Sequence, residues 1–461
     1  MKIKLKTSAI FFIFVIFFLN LLFVYRLNYS ALMSYDEAWY GEIARNLIIS
    51  KNPFRLSFGG HIFTDHPPLG YLLMTLPMAI LGSTEFSVRL VSALMGAGTI
   101  LIVYLLGKKL DGRTTGLSAS AILLSSLWFM FRARSGNLDV PLIFWEVLTV
   151  YFLISKGKKW LYFATVSFAA LILTKALVGF GLLPLIFFIL WFRRKELSKN
   201  TLVKAFFLWG VIVFPWYLVN YLNQSNFLFH HFIEIGIRGG SQFTLQSLLS
   251  NLLYLAIGIG KWYKIFLATL FLSVFTFIKQ KKQRFNIGLL GFWLLGFVLI
   301  LFSTKTEIWH LLPLYPVIAL VIPLVLLNTL LLIVPRLTWL RTLFILGCFG
   351  LAIYQFHQFA NLIYFNEPVY SAEKDIAVKA RVYKKLHLMD TFYPAAVFYS
   401  QQNVDPLHWD ESAYEKMIEI LSFKEGDVFI INEILKKQLE KDQVVFIILD
   451  KNDHYYLISH K

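Results

Sequence analysis

The sequence predicts a polytopic α-helical membrane protein, with about 11 spanning helices and a small C-terminal α/β domain. Two observations carry this prediction. Of the 461 residues, 57% are hydrophobic and only 15% are charged, whereas soluble domains carry about 25% charged residues. Apolar runs of about 20 residues, the length that crosses the hydrocarbon core, recur as far as residue 360.

The membrane domain is predicted to occupy residues 1–360. Its first apolar segment follows three lysines and lacks a small-residue cleavage site, so we expect a retained helix rather than a cleaved signal peptide. The first outer loop, at 27–87, is the predicted catalytic loop. The run 243–260 contains Gly258 and Gly260, which favours a re-entrant or interfacial piece. The predicted spans are 8–25, 88–106, 114–131, 140–154, 160–174, 176–192, 202–222, 262–278, 286–302, 311–334 and 341–360.

Charge gives the predicted orientation. A net charge of +17 would suit nucleic-acid binding, but the basic residues are concentrated in short loops between apolar segments. We therefore expect no nucleic-acid partner. The basic clusters fall on alternate loops, which the positive-inside rule assigns to the cytoplasm. They lie at 2–6, 108–113, 156–159, 193–199, 279–284 and 336–341. The single cysteine, Cys348, cannot form an internal disulfide.

The remaining loops share the outer face and hold acids, histidines and cations. Asp36 and Glu37 follow the first span and are flanked by aromatic residues typical of membrane interfaces. A carboxylate is costly beside hydrocarbon unless water, a cation or a substrate is present. The pair is therefore either a water-facing loop or the acidic half of a reaction site. No glycine-rich nucleotide loop is present, so an outward-facing enzyme would take its activated group from a lipid-borne phosphate.

Six short motifs follow one another along this topology. They are Tyr35-Asp36-Glu37 with Tyr40 to Arg45, Thr64 to Tyr71 with its proline pair, Glu85 to Leu90, Arg134 with Asp139, Glu234 with Arg238, and Ser303-Thr304-Lys305 followed by His310 and Leu312-Pro313. Their order resembles that of polyprenyl-phosphate-sugar-dependent glycosyltransferases. This is the GT-C group, which includes protein O-mannosyltransferases and the lipid A aminoarabinose transferase.

This resemblance covers residues 30–320 and implies transfer of a sugar from a polyprenyl-phosphate donor to an acceptor outside the cytoplasm. The acceptor class stays open between lipid A or lipopolysaccharide, protein and other glycans. His66 stands where the aminoarabinose transferase tends to carry a lysine, and Ile235 stands where its pattern has a histidine. These departures leave the sugar and the acceptor open. The resemblance implies a multi-pass protein of the bacterial inner membrane, with its site on the periplasmic side.

The chemistry needs a base for the acceptor proton and positive charge for the departing phosphate. Asp36 is the candidate base, and Glu37 and Asp139 are candidates to orient it, hold the sugar or bind a cation. The candidate phosphate ligands are Lys305, Arg238 and Arg134. The candidate metal or substrate ligands are Asp65, His66, Glu234 and His310. No cofactor is required by the sequence, although these residues leave room for a divalent cation.

Structural roles compete with several of these assignments. Asp36 is alternatively an interfacial cap, and Asp139 is alternatively the N-cap of the span that starts at Val140-Pro141. Arg134 is alternatively an interface anchor, and Lys305 a snorkelling residue at the end of a span. His230 and His231 are expected to be ordinary loop residues.

Two other classes of protein remain as alternatives. A transporter or flippase of envelope glycolipids would place ionisable groups within its spans. The predicted spans of this chain are nearly free of acidic residues, and Glu146 is the clear exception. A non-catalytic partner in polymer assembly is the other alternative.

The C-terminal segment 361–461 reads as a separate extracytoplasmic α/β domain. Short apolar runs at 395–399, 427–431 and 444–449 predict strands, and 455–458 predicts a last one. The segments 411–421 and 432–439 predict helices between them. Nothing in this domain looks catalytic.

Overall fold

The computed structural model describes residues 19–236, 242–334, 339–389, 393–401, 404–406, 411–424 and 426–461. The chain divides into two compact units. The helical unit comprises Met1–Tyr25, Thr64–Gly70 and Val91–Asn366. The loop unit comprises Arg26–Phe63, Tyr71–Leu90 and Glu367–Lys461. The loop unit thus joins most of the predicted first outer loop to the C-terminal residues.

Helices dominate the chain before residue 366. A short hairpin interrupts them, in which β1 (Ser57–Phe58) pairs with β2 (His61–Ile62) in antiparallel register. The helices are α1 (Trp39–Ser50), α2 (Leu69–Leu81), α3 (Glu85–Asp111), α4 (Arg113–Leu124), α5 (Leu127–Ala133), α6 (Asp139–Leu153), α7 (Lys158–Thr174), α8 (Ala176–Phe192), α9 (Lys199–Asn223), α10 (Leu245–Ile259), α11 (Trp262–Lys279), α12 (Lys281–Phe302), α13 (Leu314–Ile333) and α14 (Leu340–Phe365).

The predicted spans after residue 87 all coincide with helices or with the bent pair α4–α5. Among the described residues, six helices are long and apolar enough to cross a membrane, namely α3, α9, α11, α12, α13 and α14. The bent pair would make a seventh. The first predicted span lies largely outside the described residues. The polytopic helical fold is confirmed, and the total of about 11 spans stays a prediction.

Four of the loops that carry basic clusters, those at 108–113, 156–159, 193–199 and 279–284, meet at one end of the helical unit. Lys109, near the end of α3, donates a hydrogen bond to Ser155, which follows α6. Gln283, in the first turn of α12, donates to Asp111 over 2.6 Å. Arg193, after α8, donates to a carbonyl at the C-terminal end of α6 over 2.7 Å. The alternation of basic loops along the sequence predicts this grouping.

The predicted outer loops meet at the opposite end of α6. Asp139 stands in the first turn of α6 and pairs with Arg132, which comes from α5, and with Lys175, which lies between α7 and α8. Asp65 and His230 join the loops before α2 and after α9 in the same way. Every polar candidate of the helical unit that the structure describes therefore lies away from the basic end.

A break in one predicted span carries Arg132 to this end. The helices α4 and α5 meet at 73° across Ser125 and Ser126. Non-helical backbone at membrane depth is tolerated only where protein groups satisfy it. Here Gln355 donates to the Ser125 carbonyl over 2.6 Å, and Trp262 donates to the Ser125 hydroxyl over 2.8 Å. Polar side chains from two other helices thus stabilise the break.

The C-terminal part of the loop unit is a five-stranded sheet with helices. Its elements are α15 (Ala372–Ala380), β3 (Lys385–Leu388), α16 (Pro394–Ser400), β4 (Val404–Pro406), α17 (Glu411–Phe423), β5 (Asp427–Asn432), α18 (Glu433–Lys441), β6 (Ile447–Lys451) and β7 (Tyr455–Ser459). The strand order is β4-β3-β5-β7-β6, with β4, β3 and β5 parallel and with β7 and β6 antiparallel. The small α/β domain is confirmed.

One strand prediction in this domain is wrong. The segment 395–399 lies in helix α16, whose residues are all buried. Because every face is covered, the apolar run carries no helical periodicity, and its length is that of a strand. Pro394 stands at the first helical position, where proline is favoured because its missing N–H group has no intrahelical partner.

Candidate active site

The loop unit holds the candidate base on a strained turn, Ser34–Ala38, which we call the Asp36 turn. Asp36 has φ +61° and ψ −74°, a combination that non-glycine residues rarely adopt. Such conformations cost of order 1–3 kcal/mol, persist only where the surroundings enforce them, and cluster at active sites. The Asp36 side chain is partly exposed, whereas the neighbouring Glu37 is buried.

Glu37 is committed to an ion pair with Arg89, which lies in the first turns of α3. Its two carboxylate oxygens accept hydrogen bonds from Arg89 Nε and Nη2, both over 2.7 Å. Oε2 also accepts the backbone N–H of Met33 over 2.9 Å. Both charged side chains are almost fully buried. Of the roles predicted for Glu37, these contacts favour the orienting one, because both carboxylate oxygens already accept hydrogen bonds that hold the turn in place.

Arg89 also binds the stretch of chain just before the Asp36 turn. Its Nη1 donates to the carbonyls of Leu27 and Ser30 over 2.7 and 2.9 Å, and its Nη2 donates to that of Ala31 over 2.9 Å. The planar fork of guanidinium donors suits this multiple contact better than the single ammonium of a lysine. The signal of this role in the sequence is an arginine at the start of an apolar helix.

In the helical unit, Asp139 is buried between two cations. One oxygen lies 2.6 Å from Arg132 Nη2 and the other lies 2.8 Å from Lys175 Nζ. Burial alone would raise the pKa of Asp139, but Lys175 and Arg132, with a smaller contribution from His310, hold that pKa well below its usual range. Asp139 is therefore a fixed negative charge. Arg132 also lies over the Trp309 ring, 5.1 Å from its centroid.

The Asp139 carboxylate is available for these two ion pairs because another residue caps α6. The side-chain oxygen of Asn137 accepts the backbone N–H groups of Asp139 and Val140 over 2.9 and 3.0 Å. The alternative role of Asp139 as the N-cap is therefore wrong. We call Arg132, Asp139, Lys175, Trp309 and His310 the Asp139 cluster. It brings together two predicted site residues, Asp139 and His310, and adds two cations that were not among the predicted phosphate ligands.

A second ionic group in the helical unit joins Asp65, His230 and Glu234, which we call the His230 bridge. The His230 ring nitrogens lie 2.8 Å from Asp65 Oδ1 and 2.7 Å from Glu234 Oε2. Burial opposes the charged ring, but the hydrogen bonds to both carboxylates outweigh it and raise the pKa of His230. His230 is therefore more than the ordinary loop residue that was expected. The spacing of four residues between His230 and Glu234 is the feature of the sequence that could have indicated this pair.

The neighbouring histidine has a different environment. His231 Nδ1 lies 2.8 Å from the Thr64 carbonyl oxygen, and the ring packs among Trp216, Tyr217 and Phe227. Burial lowers the pKa of His231, so the ring is held neutral. Across the described ranges, no group of three or more His, Cys, Asp or Glu side chains is arranged to hold a metal ion.

The remaining predicted residues stand apart from these groups. Arg134 donates to the carbonyls of Leu22, Phe23 and Tyr25 over 3.1, 2.9 and 2.5 Å, and thus caps the C-terminal end of the helical segment at 19–24. These contacts favour its anchoring role. Lys305 is exposed in the loop after α12, and His66 is half-buried. Arg238 lies outside the described residues.

The described fold, a multi-helical unit with a small C-terminal sheet, is shared with ArnT of Cupriavidus metallidurans and with an oligosaccharyltransferase of Archaeoglobus fulgidus. Residues 65–218 match the family model described as dolichyl-phosphate-mannose-protein mannosyltransferase. The structure superposes on ArnT from Cupriavidus metallidurans bound to undecaprenyl phosphate, with a TM-score of 0.78, 15% sequence identity and 98% of this chain and 97% of that chain covered.

Curated relatives agree with this match. An uncharacterised protein of Aquifex aeolicus is 27% identical over 311 residues, which are 65% of this chain and 61% of that protein. An undecaprenyl phosphate-alpha-4-amino-4-deoxy-L-arabinose arabinosyl transferase of Pseudomonas savastanoi is 32% identical over 131 residues, which are 28% of this chain and 25% of that enzyme. The chain thus spans less than two thirds of these relatives. The resemblance to polyprenyl-phosphate-sugar-dependent glycosyltransferases is confirmed.

Proposed function

We propose that this protein is an integral-membrane glycosyltransferase that moves a sugar from a polyprenyl-phosphate donor to an acceptor outside the cytoplasm. One observation carries the proposal. The fold matches, over 98% of the chain, that of a transferase whose crystal structure holds undecaprenyl phosphate. Within the loop unit, the strained Asp36 turn offers a candidate base, and within the helical unit, the Asp139 cluster offers candidate cations for the phosphate.

In the proposed reaction, Asp36 takes the proton of an acceptor hydroxyl or amine as that atom attacks the anomeric carbon. The bond between this carbon and the phosphate oxygen breaks, and polyprenyl phosphate leaves with the bonding electrons. One displacement inverts the configuration at the sugar carbon. Asp36 suits this role because its side chain is partly exposed, and a base must reach the proton that it removes.

The leaving phosphate needs positive charge, and the structure widens the choice of ligands. Lys305 and Arg238 remain candidates from the motif order, together with Arg134. Arg132 and Lys175 join them, because the Asp139 cluster places two cations around a single carboxylate and so keeps an excess of positive charge. Charge-assisted hydrogen bonds to phosphate are the strong kind. Asp139 would then hold the two cations in place rather than act as a base.

We place the protein in the bacterial inner membrane as a multi-pass protein, with the site on the periplasmic side. Residues 1–360 would form the membrane domain and 361–461 an extracytoplasmic domain. The acceptor is a lipid, a protein or another glycan. Asp65, Glu234 and His310 are assigned to substrate contact or positioning, as is His66. A divalent cation is not needed for the proposed displacement.

Glu146 is the observation that would favour a transporter, and its surroundings argue for a structural role instead. It is fully buried, and one carboxylate oxygen accepts the indole N–H of Trp293 over 2.5 Å. This contact joins α6 to α12 within the bundle. A transport pathway needs ionisable groups that face a water-filled cavity.

The test is transfer by the purified protein in proteoliposomes. Polyprenyl-phosphate sugars are offered with lipid A, with peptide or with glycan acceptors, and both the glycosylated product and the released polyprenyl phosphate are measured by mass spectrometry. We expect product and released phosphate in equal amounts, and both formed about 10²–10⁴-fold more slowly by Asp36→Asn. Movement of an intact donor between leaflets without bond cleavage would support a flippase and overturn the proposal.

A further inference from the structure

The residues after 366 hold the chain just before the candidate base. The phenol oxygen of Tyr399, in α16, accepts the backbone N–H of Leu32 over 2.7 Å. The same hydroxyl donates to Glu85 over 2.9 Å. Lys374, from α15, reaches the same Glu85 oxygen over 2.5 Å and lies over the Tyr399 ring. Burial raises the pKa of Tyr399, so its hydroxyl keeps the proton that it donates.

A second contact lies within the Asp36 turn itself. The hydroxyl of Ser34 donates to Glu373 of α15 over 2.7 Å and accepts the backbone N–H of Ala395, in the first turn of α16, over 3.3 Å. Gly41, in α1, lies so close to α16 that an added Cβ would come within 3.0 Å of the Phe398 ring. Both C-terminal helices thus pack on the segment that carries Asp36.

This packing bears on the strain at Asp36. A backbone at φ +61° persists only where the surrounding structure enforces it. Arg89 and Glu37 fix the turn from one side, and Tyr399 and Ser34 connect it to α15 and α16. Nothing in the sequence of residues 361–461 suggested a part in catalysis, because these partners lie more than 300 positions from the turn.

We propose that Tyr399 and Ser34 are positioning residues, through which the C-terminal segment holds the Asp36 turn in its reactive conformation. This inference rests on the proposed function for its kinetic consequence. Its structural consequence, an ordered turn at 31–38, does not depend on the activity. Neither residue has to touch the substrate, because each acts through the backbone next to Asp36.

The test compares Tyr399→Phe with Tyr414→Phe. The Tyr414 hydroxyl also donates to a carboxylate of the same domain, that of Asp442, but the contact is exposed and joins α17 to the residue after α18. Removing the Tyr399 hydroxyl should lower kcat by roughly 10- to 100-fold and leave KM for the donor unchanged, because misplacement of a reacting group has effects of this size. The Tyr414 variant should keep wild-type kcat.

Two further readouts separate positioning from general stability. In an Asp36→Asn background, Tyr399→Phe should cause no further loss of kcat, because both act through one group. Hydrogen exchange measured by mass spectrometry should show faster exchange in the peptide covering residues 31–38 for Tyr399→Phe, and wild-type exchange there for Tyr414→Phe. Ser34→Ala should repeat both effects if Tyr399→Phe does not fold.

The outcomes distinguish this inference from the proposed function. Unchanged exchange at 31–38 in both Tyr399→Phe and Ser34→Ala overturns the inference, whatever the activity. An equal loss of kcat in the wild-type and Asp36→Asn backgrounds also overturns it. If the wild-type protein transfers no sugar but exchange at 31–38 rises, the C-terminal segment orders the turn and only the proposed function fails.

Discussion

Two carboxylates singled out by the motif order lie in opposite surroundings. Asp139 is buried between Arg132 and Lys175, which keep it ionised. A carboxylate held in this way is a weak proton acceptor, because an effective general base has a pKa near the working pH. Asp36 is partly exposed on a strained turn and is the better candidate base. Under the proposed function the two acids would have separate tasks, charge placement for Asp139 and proton removal for Asp36.

The adjacent acids of the first loop should differ in what they control. Asp36→Asn should lower turnover by about 10²–10⁴-fold, because that is the usual worth of a general base, and should leave the thermal unfolding midpoint unchanged. Glu37→Gln should lower the unfolding midpoint instead, since breaking a buried ion pair costs about 3–5 kcal/mol. Enzyme assays and thermal unfolding in detergent measure both. Normal turnover in Asp36→Asn would remove it as the base.

The two lysines of the predicted outer loops should also differ. Lys175→Ala should impair both donor use and stability, because it leaves the buried Asp139 with one cation. Lys305→Ala should weaken donor use by roughly tenfold, the effect of one charge-assisted contact, and leave stability intact because the side chain is exposed. Donor KM and thermal unfolding are the measurements. Wild-type donor kinetics in a folded Lys175→Ala protein would remove Lys175 from the phosphate ligands.

At the scale of elements, breaks and loops decide where the charged groups stand. The bend between α4 and α5 directs Arg132 towards Asp139, and the polar contacts of Ser125 stabilise that bend. The cap supplied by Asn137 starts α6 and leaves the Asp139 side chain available. The His230 bridge joins two loops that are far apart in sequence, those before α2 and after α9.

This bridge makes a pH-dependent contribution to stability. The pKa of His230 is raised by its two carboxylates, so its contribution is fully present below the ordinary histidine pKa of about 6.5. It is lost as the pH rises through the raised pKa of the folded protein. The unfolding midpoint of His230→Gln should therefore fall further below wild type at acidic pH than at pH 9. The exposed His454→Gln variant should show no such trend, and an equal deficit at both pH values would contradict the ionic bridge.

At the scale of the whole molecule, each unit assembles distant parts of the chain. In the helical unit, the four described basic loops meet at one end and the predicted outer loops, which are acidic and cationic, meet at the other. In the loop unit, the C-terminal helices α15 and α16 pack on the Asp36 turn. The division into two units therefore does not follow the order of the sequence.

The predicted orientation is testable by cysteine labelling. With Cys348→Ala as background, Ser225→Cys in the predicted outer loop after α9 should react with a membrane-impermeant maleimide in intact cells. Lys282→Cys, at the basic end, should react only after the inner membrane is opened. Both native positions are exposed, so access through the protein is not limiting. The reverse pattern would place the site in the cytoplasm.

The sequence was enough to predict the fold class and the alternation of basic loops, and to select Asp36 and Asp139 as candidate site residues. Each of these rests on local information, namely apolar length, charge per loop and short motifs. The pairing of Asp139 with Arg132 rather than Arg134, and the capping of α6 by Asn137, become visible only in the folded structure. Two arginines separated by one residue look alike in the sequence, and the bend of α4–α5 selects between them. The contact of Tyr399 with Leu32 is likewise absent from any local pattern, because the two residues are distant in sequence and meet only when the loop unit folds.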